Sequence, residues 1–170
     1  EKTFERYSFL NSQKEDLEKA KADLEEKYGI KVLIFSADIA AGSDNEATAK
    51  AVVDATIAEF GRIDVLINNA GTQNENDIDV NLKALIHITE KYGVQEKIRS
   101  ILSIGSASAH TGAEFPEYCA SKGGILAYTK NVALRVAVYG ATCNSLDPGG
   151  VLTPLNDCVI NDPELWAEIM

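Results

Sequence analysis

A phenol and an ammonium stand four residues apart in Tyr118-Cys119-Ala120-Ser121-Lys122. On a helix, that spacing puts both side chains on one face, about one turn apart. A free phenol, with a pKa of about 10, is a poor base at neutral pH. A neighbouring cation stabilises the phenolate and brings the group closer to what proton transfer requires. By itself the spacing is common in helices and usually structural. Two other stretches change its weight. Ser103-Ile104-Gly105-Ser106 closes a predicted strand and leaves a serine hydroxyl at the carboxyl edge of a parallel sheet, where open α/β folds bind ligands. Val65-Leu66-Ile67 runs straight into Asn68-Asn69-Ala70-Gly71. Two amides followed by two small residues suit a backbone that approaches a flat ligand closely, although a plain polar turn reads the same way.

Strands and helices must bring these groups together, and the hydrophobic pattern supplies them. A helix is predicted over 12–28: Ser12 and Glu15 form a capping box, Leu17, Ala20, Leu24 and Tyr28 recur at helical spacing, and Gly29 supplies the stop. Ile30-Lys31-Val32-Leu33-Ile34-Phe35 reads as a buried strand. Ser43 and Glu46 open a second helix that runs to Phe60 and stops at Gly61, and Ile63-Asp64-Val65-Leu66-Ile67 is the next strand. Helices over 79–92 and 117–139, the latter ended by Gly140, alternate with strands over 100–104 and 141–146. The last strand leads into Pro148-Gly149-Gly150, and a first strand falls near 7–10. This alternation means parallel pairing through right-handed crossovers, hence a layered α/β fold.

Composition narrows the function classes. The 170 residues fit one domain, and 45% hydrophobic with 25% charged residues is an ordinary globular balance. A net charge of −10, with no Lys/Arg cluster, argues against a nucleic-acid partner. No apolar run approaches the roughly 18 residues needed to cross a bilayer, and Glu1-Lys2-Thr3-Phe4-Glu5-Arg6 is too charged for a signal-peptide core, so a cytoplasmic location is expected. Cys119, Cys143 and Cys158 lack metal or disulfide spacing and read as reduced thiols; His87 and His110 have no partner at ligand spacing, so no metal site is expected.

Asn68-Asn69-Ala70-Gly71, Ser106, Tyr118-x-x-x-Lys122 and Asn144-Ser145-Leu146-Asp147-Pro148-Gly149-Gly150-Val151-Leu152-Thr153 occur in the order, and near the spacing, of the short-chain dehydrogenase/reductases. The resemblance runs from about Ser12 to Thr153. It implies a single NAD(P)-binding domain over 1–170, built as a three-layer doubly wound, Rossmann-like parallel sheet. It implies an oxidoreductase that interconverts an alcohol and a carbonyl on a small substrate: a 3-oxoacyl thioester, a sugar or polyol, or another ketone. In that comparison Tyr118 is the acid/base, and Lys122 assists it and bonds the nicotinamide ribose. Ser106 holds the substrate oxygen, and Asn81 supports a water relay behind the lysine. Asp38 contacts the adenine. Asn69, Ala70 and Gly71 line the adenosine ribose and steady the sheet, while Pro148, Gly149, Val151 and Thr153 border the nicotinamide. Family members commonly assemble through the helices that match 79–92 and 117–139, which here carry apolar residues on more than one face, so a homo-oligomer is expected, commonly a tetramer.

The sequence also departs from that pattern. No glycine-rich turn to receive a pyrophosphate occurs in the 170 residues, which start near the family's second strand and stop before its last. The domain is therefore expected to be incomplete, with the strand at 32–35 lacking a route to pair with that at 65–67. The connection from Gly71 to Asn81 is about half the family's usual length. Leu10-Asn11-Ser12 offers no acid for a ribose 2′-hydroxyl, which leans the cofactor towards NADP over NAD. The competing interpretations are a non-catalytic binding or regulatory protein on the same fold and a truncated pseudo-enzyme.

Overall fold

The computed structural model describes residues 4–8, 14–39, 45–73, 76–113, 115–151, 161–164 and 167. Among the described residues, five strands alternate with helices: β1 (Phe4–Ser8), α1 (Lys14–Tyr28), β2 (Val32–Ser36), α2 (Asn45–Phe60), β3 (Val65–Asn68), β4 (Ser100–Ile104) and β5 (Thr142–Leu146). Between β3 and β4 runs one helical stretch in three parts, π-helical Ile78–Ala84, α3 (Leu85–Ile88) and π-helical Thr89–Gly93. The short α4 (Ser108–Thr111) and the long α5 (Pro116–Val136) lie between β4 and β5. Every pairing is parallel, as the alternating pattern requires.

The strands form two sheets, β1-β2 and β3-β4-β5. β2 does not pair with β3, the break expected where the family's opening strand would lie between them. Val65 and Ile67 on β3 are 55% and 53% exposed, so the doubly wound layering is not closed over that strand. The fold is thus α/β with a parallel sheet, and the sheet is incomplete.

The main core fills the space between the three-stranded sheet and α5. Ile98, Ile101, Val132, Val136, Ala141 and Cys143 are buried there, with Leu66 and Tyr128 packed against them. Cys143 belongs to this apolar set, and burial pushes its thiol up to about 11, which makes it an inert filler. A second cluster, Ile39, Val80 and Ala84, receives Ala70 and so joins the end of β2 to the turn after β3. Glu90 ties the 78–93 helix to α5 by accepting from Arg135 Nη2 and Tyr128 Oη, each at 2.7 Å.

Local signals explain most element ends. Gly29, Gly61 and Gly140 hold positive φ where the helices stop. Pro116 occupies the first turn of α5, after an extended Phe115. One expectation needs correction: the first strand begins at Phe4, earlier than the predicted 7–10. The predicted helix over 79–92 is present, with largely π-helical turns, and the short α4 lies where no helix was predicted. Ser12 and Ser43, the two expected caps, lie outside the described residues.

Ile101 is fully buried at the centre of the main core. Ile101→Ala should lower the unfolding free energy by about 3 kcal/mol, read from the chemical-denaturation midpoint at unchanged slope.

Candidate active site

Parallel strands put their carboxyl ends on one edge, and the register aligns those ends. Asn68 of β3 pairs with Ser103 of β4, which pairs with Ser145 of β5. The segments that follow, Asn69-Ala70-Gly71, Ile104-Gly105-Ser106 and Asp147-Pro148-Gly149, therefore emerge side by side. Backbone bonds extend the pairing past the strands: Gly105 N donates to Leu146 O and Ala107 N to Pro148 O, both at 2.8 Å.

α5 crosses this edge and delivers the tyrosine–lysine pair. Lys122 is only 5% exposed; its Nζ donates to Ile104 O at 2.9 Å and lies 5.6 Å from the centre of the half-buried Tyr118 ring. Burial pushes the Lys122 ammonium below its ordinary pKa, opposed by the negative charges of Asp77 and Asp147.

Asn81 sits in the π-helical segment, where its side chain clamps two elements. Its Oδ1 accepts from Thr72 N at 2.7 Å and its Nδ2 donates to Thr72 O at 2.9 Å. The same amide reaches Ser121 Oγ at 3.1 Å, and Ser121 Oγ in turn donates to Tyr118 O at 2.8 Å. The short connection after Gly71 is thus held directly to the residue preceding Lys122. A Cβ on Gly71 would lie 3.1 Å from Asn81 Oδ1 and 3.6 Å from Lys122 Nζ, so this glycine lets the backbone come close to the ammonium.

The remaining expected residues are placed less uniformly. Asp38 is exposed two residues past β2, and neighbouring Ile39 packs with Ala70, which brings that strand end towards the Asn-rich turn. Asn69 and Gly71 are exposed. Asn68, at the end of β3, also braces the sheet: its Nδ2 is buried and donates to Thr89 Oγ1 at 3.0 Å, with Ser103 Oγ at 3.5 Å. Pro148 is tied to Ala107, whereas Gly149 and Val151 are exposed and Thr153 lies outside the described residues.

Ser108, Asp147 and His110 were given no site role in the sequence. Ser106 Oγ accepts from Ser108 N at 3.2 Å and from Ser108 Oγ at 2.8 Å. Asp147 accepts from Ser145 Oγ, and its Oδ2 lies 2.9 Å from His110 Nε2. A Cβ on Gly105 would fall 1.9 Å from Asp147 Oδ1, so this carboxylate occupies space that only a glycine leaves. The x-S-x-S spacing of 106–108 and the aspartate before Pro148 were the available signals, but neither names its partner. Among the described residues, no three metal-ligating side chains gather and no helix is long and apolar enough to cross a membrane.

A nicotinamide dinucleotide fits part of this edge. An ammonium has three donors, and Lys122 commits one to Ile104, leaving two for a ribose diol beside Gly71. A glycine-rich cradle for the pyrophosphate is not among the 170 residues.

Parallel strands whose carboxyl ends carry an amide turn, a serine and the carbonyl that holds a buried lysine beside a tyrosine belong to the open α/β folds, which as a class bind ligands at that edge. The chain belongs to the short-chain dehydrogenase family, whose model matches residues 5–164. It is 38% identical over 145 residues to short chain dehydrogenase adrF of Penicillium rubens, with 75% of this chain and 56% of that one covered. It is 30% identical over 185 residues to 2-(R)-hydroxypropyl-CoM dehydrogenase of Xanthobacter autotrophicus, with 98% and 72% covered. The chain thus spans little more than half the length of the first of these relatives. Among solved structures, NAD+-bound xylitol dehydrogenase superposes with a TM-score of 0.78 at 26% identity, covering 98% of this chain and 67% of that one.

Burial raises the Asp147 carboxyl, but the bonds from Ser145 and His110 and the charges of His110 and Lys122 outweigh it and hold the group below its ordinary 3.8. A depressed native pKa stabilises the fold above the unfolded value, and that stability is lost as pH falls through the native one. Asp147→Asn should therefore lower the melting temperature by about 2–4 °C at pH 7, and the difference from the parent should vanish in strong acid.

Proposed function

We propose that this chain carries the catalytic site of a nicotinamide-dependent oxidoreductase that interconverts an alcohol and a carbonyl on a small substrate. The observation that carries the proposal is the buried Lys122 ammonium, held between the Tyr118 ring, the Ile104 carbonyl and the Gly71 backbone. Its positive charge favours phenolate on Tyr118, which takes the proton from an alcohol oxygen or returns it to the oxygen of a carbonyl under reduction. Ser106 bonds that same oxygen and stabilises the charge that develops there. Asn81 keeps Thr72 and Ser121 in register around the lysine and supports a water relay behind it. A bound nicotinamide supplies or accepts the hydride.

The cofactor would lie along the strand ends: its adenine near Asp38, its adenosine ribose along Asn69, Ala70 and Gly71, and its nicotinamide between Lys122 and Pro148, Gly149 and Val151, with Thr153 also expected to border it. The absence of an acid in Leu10-Asn11-Ser12 favours NADP, while the xylitol dehydrogenase neighbour is NAD+-bound, so both cofactors belong in the assay. The relatives act on a polyol and on a coenzyme M thioether by their names, and both lie within the proposed substrate range. Leu134, near the end of α5, and Val138, in the turn just beyond it, are 78% and 80% exposed and supply an apolar face for self-association.

The purified protein should oxidise or reduce at least one member of a panel of alcohols, ketones and 3-oxoacyl thioesters with NADPH, NADH or their oxidised forms. Tyr118→Phe should cut kcat by about 10²–10⁴-fold while leaving cofactor affinity within about twofold. Cofactor binding without turnover of any substrate by the parent protein would favour a non-catalytic binding protein instead. In sedimentation velocity, Leu134→Glu should shift the protein towards smaller species; a parent that is already monomeric at micromolar concentration would refute the assembly.

A further inference from the structure

We infer that Ser108 is a positioning residue that forces Ser106 to act as a hydrogen-bond donor towards the substrate oxygen. The inference rests on the oxidoreductase function proposed above and adds a direction to its proton transfer. A serine hydroxyl has one proton and two lone pairs. Ser106 Oγ receives two donors from one residue, the Ser108 hydroxyl at 2.8 Å and the Ser108 amide at 3.2 Å. Both lone pairs are then occupied, and the only bonding capacity left on Ser106 is its own proton.

An amide donation alone would be an ordinary local turn bond. The second donation, from the side chain, has no such turn-closing part. Ser106 and Ser108 are 7% and 3% exposed, so bulk water does not compete freely for either hydroxyl. The frame around them is held on both sides: Gly105 N and Ala107 N bond the end of β5 and its extension, and His110, two residues beyond Ser108, lies against Asp147. Ser108 therefore has little freedom to turn its donors elsewhere.

The polarity matters because the two redox states of the substrate differ in it. A carbonyl oxygen only accepts, whereas an alcohol can also donate. A Ser106 that can only donate meets the substrate oxygen as an acceptor in both states. In oxidation, the alcohol O–H bond breaks towards Tyr118, since Ser106 has no lone pair to take that proton. The C–H pair leaves as hydride to the oxidised nicotinamide, and the C=O bond forms. In reduction, the same proton returns from Tyr118 to the oxygen while Ser106 keeps donating to it. Donation into Ser106 Oγ also polarises its O–H and strengthens that bond.

The test is a double-mutant cycle of Ser108→Ala and Ser106→Ala, with kcat, KM and melting temperature measured for each protein. Ser108→Ala should lose about 5- to 30-fold in kcat for carbonyl reduction, with KM within about twofold and the melting temperature within about 2 °C. Ser106→Ala should lose about 10²-fold or more. The double variant should be no slower than Ser106→Ala, because Ser108 acts only through it. Full activity in Ser108→Ala, multiplied losses in the double variant, or a loss that follows a fallen melting temperature would each overturn the inference. Tyr118→Phe in the same assay separates the two levels. An inactive Tyr118→Phe beside a fully active Ser108→Ala removes this inference alone. An active Tyr118→Phe, or a parent inactive on every substrate, removes the proposed function as well.

Discussion

An ammonium taken out of water must be given something in return, and the site is arranged around that requirement. Desolvating Lys122 costs free energy that one carbonyl does not recover, which is why its charge is destabilised despite the bond to Ile104. Two distant carboxylates and the face of a phenol moderate the penalty without removing it. A lysine left under-satisfied in this way is prepared for further acceptors. Ligand oxygens arriving beside Gly71 would add acceptors to the one that Ile104 already supplies, and so favour the charged form of the lysine.

The neighbouring elements keep that ammonium where it is. The Asn81 side chain works as a bracket, since one amide joins the backbone of Thr72 to the hydroxyl of Ser121. An asparagine used this way cannot also point to solvent, and the helix around it adopts the wider π turns often found at functional positions. On the other side, the extensions of β4 and β5 remain zipped beyond the sheet proper, so Ser106 is carried on a doubly tethered turn rather than a free loop.

Much of this was legible in the sequence because it depends on local chemistry. Tyr118 and Lys122 at helical spacing, the glycine stops at 29, 61 and 140, and the strand at 100–104 each follow from a few adjacent residues. The parts that were not legible depend on partners far apart in the chain. The bracing role of Asn68 depends on the facing of its strand, which is set by the pairing register and is not contained in the tetrapeptide. His110 stood alone until the fold brought it to Asp147, thirty-seven residues away. Gly105 gave no sign that its missing side chain makes room for that carboxylate.

The break between the two sheets has a consequence for handling the protein. Among the described residues β3 has a ladder partner on one side only, so a row of its amides and carbonyls faces outwards beside the uncovered Val65 and Ile67. A short apolar edge of this kind is a template for strand addition, and β3 carries neither the proline nor the charge that natural edges use to repel it. A segment seated against β3 would cover that edge and keep one molecule from growing onto the next.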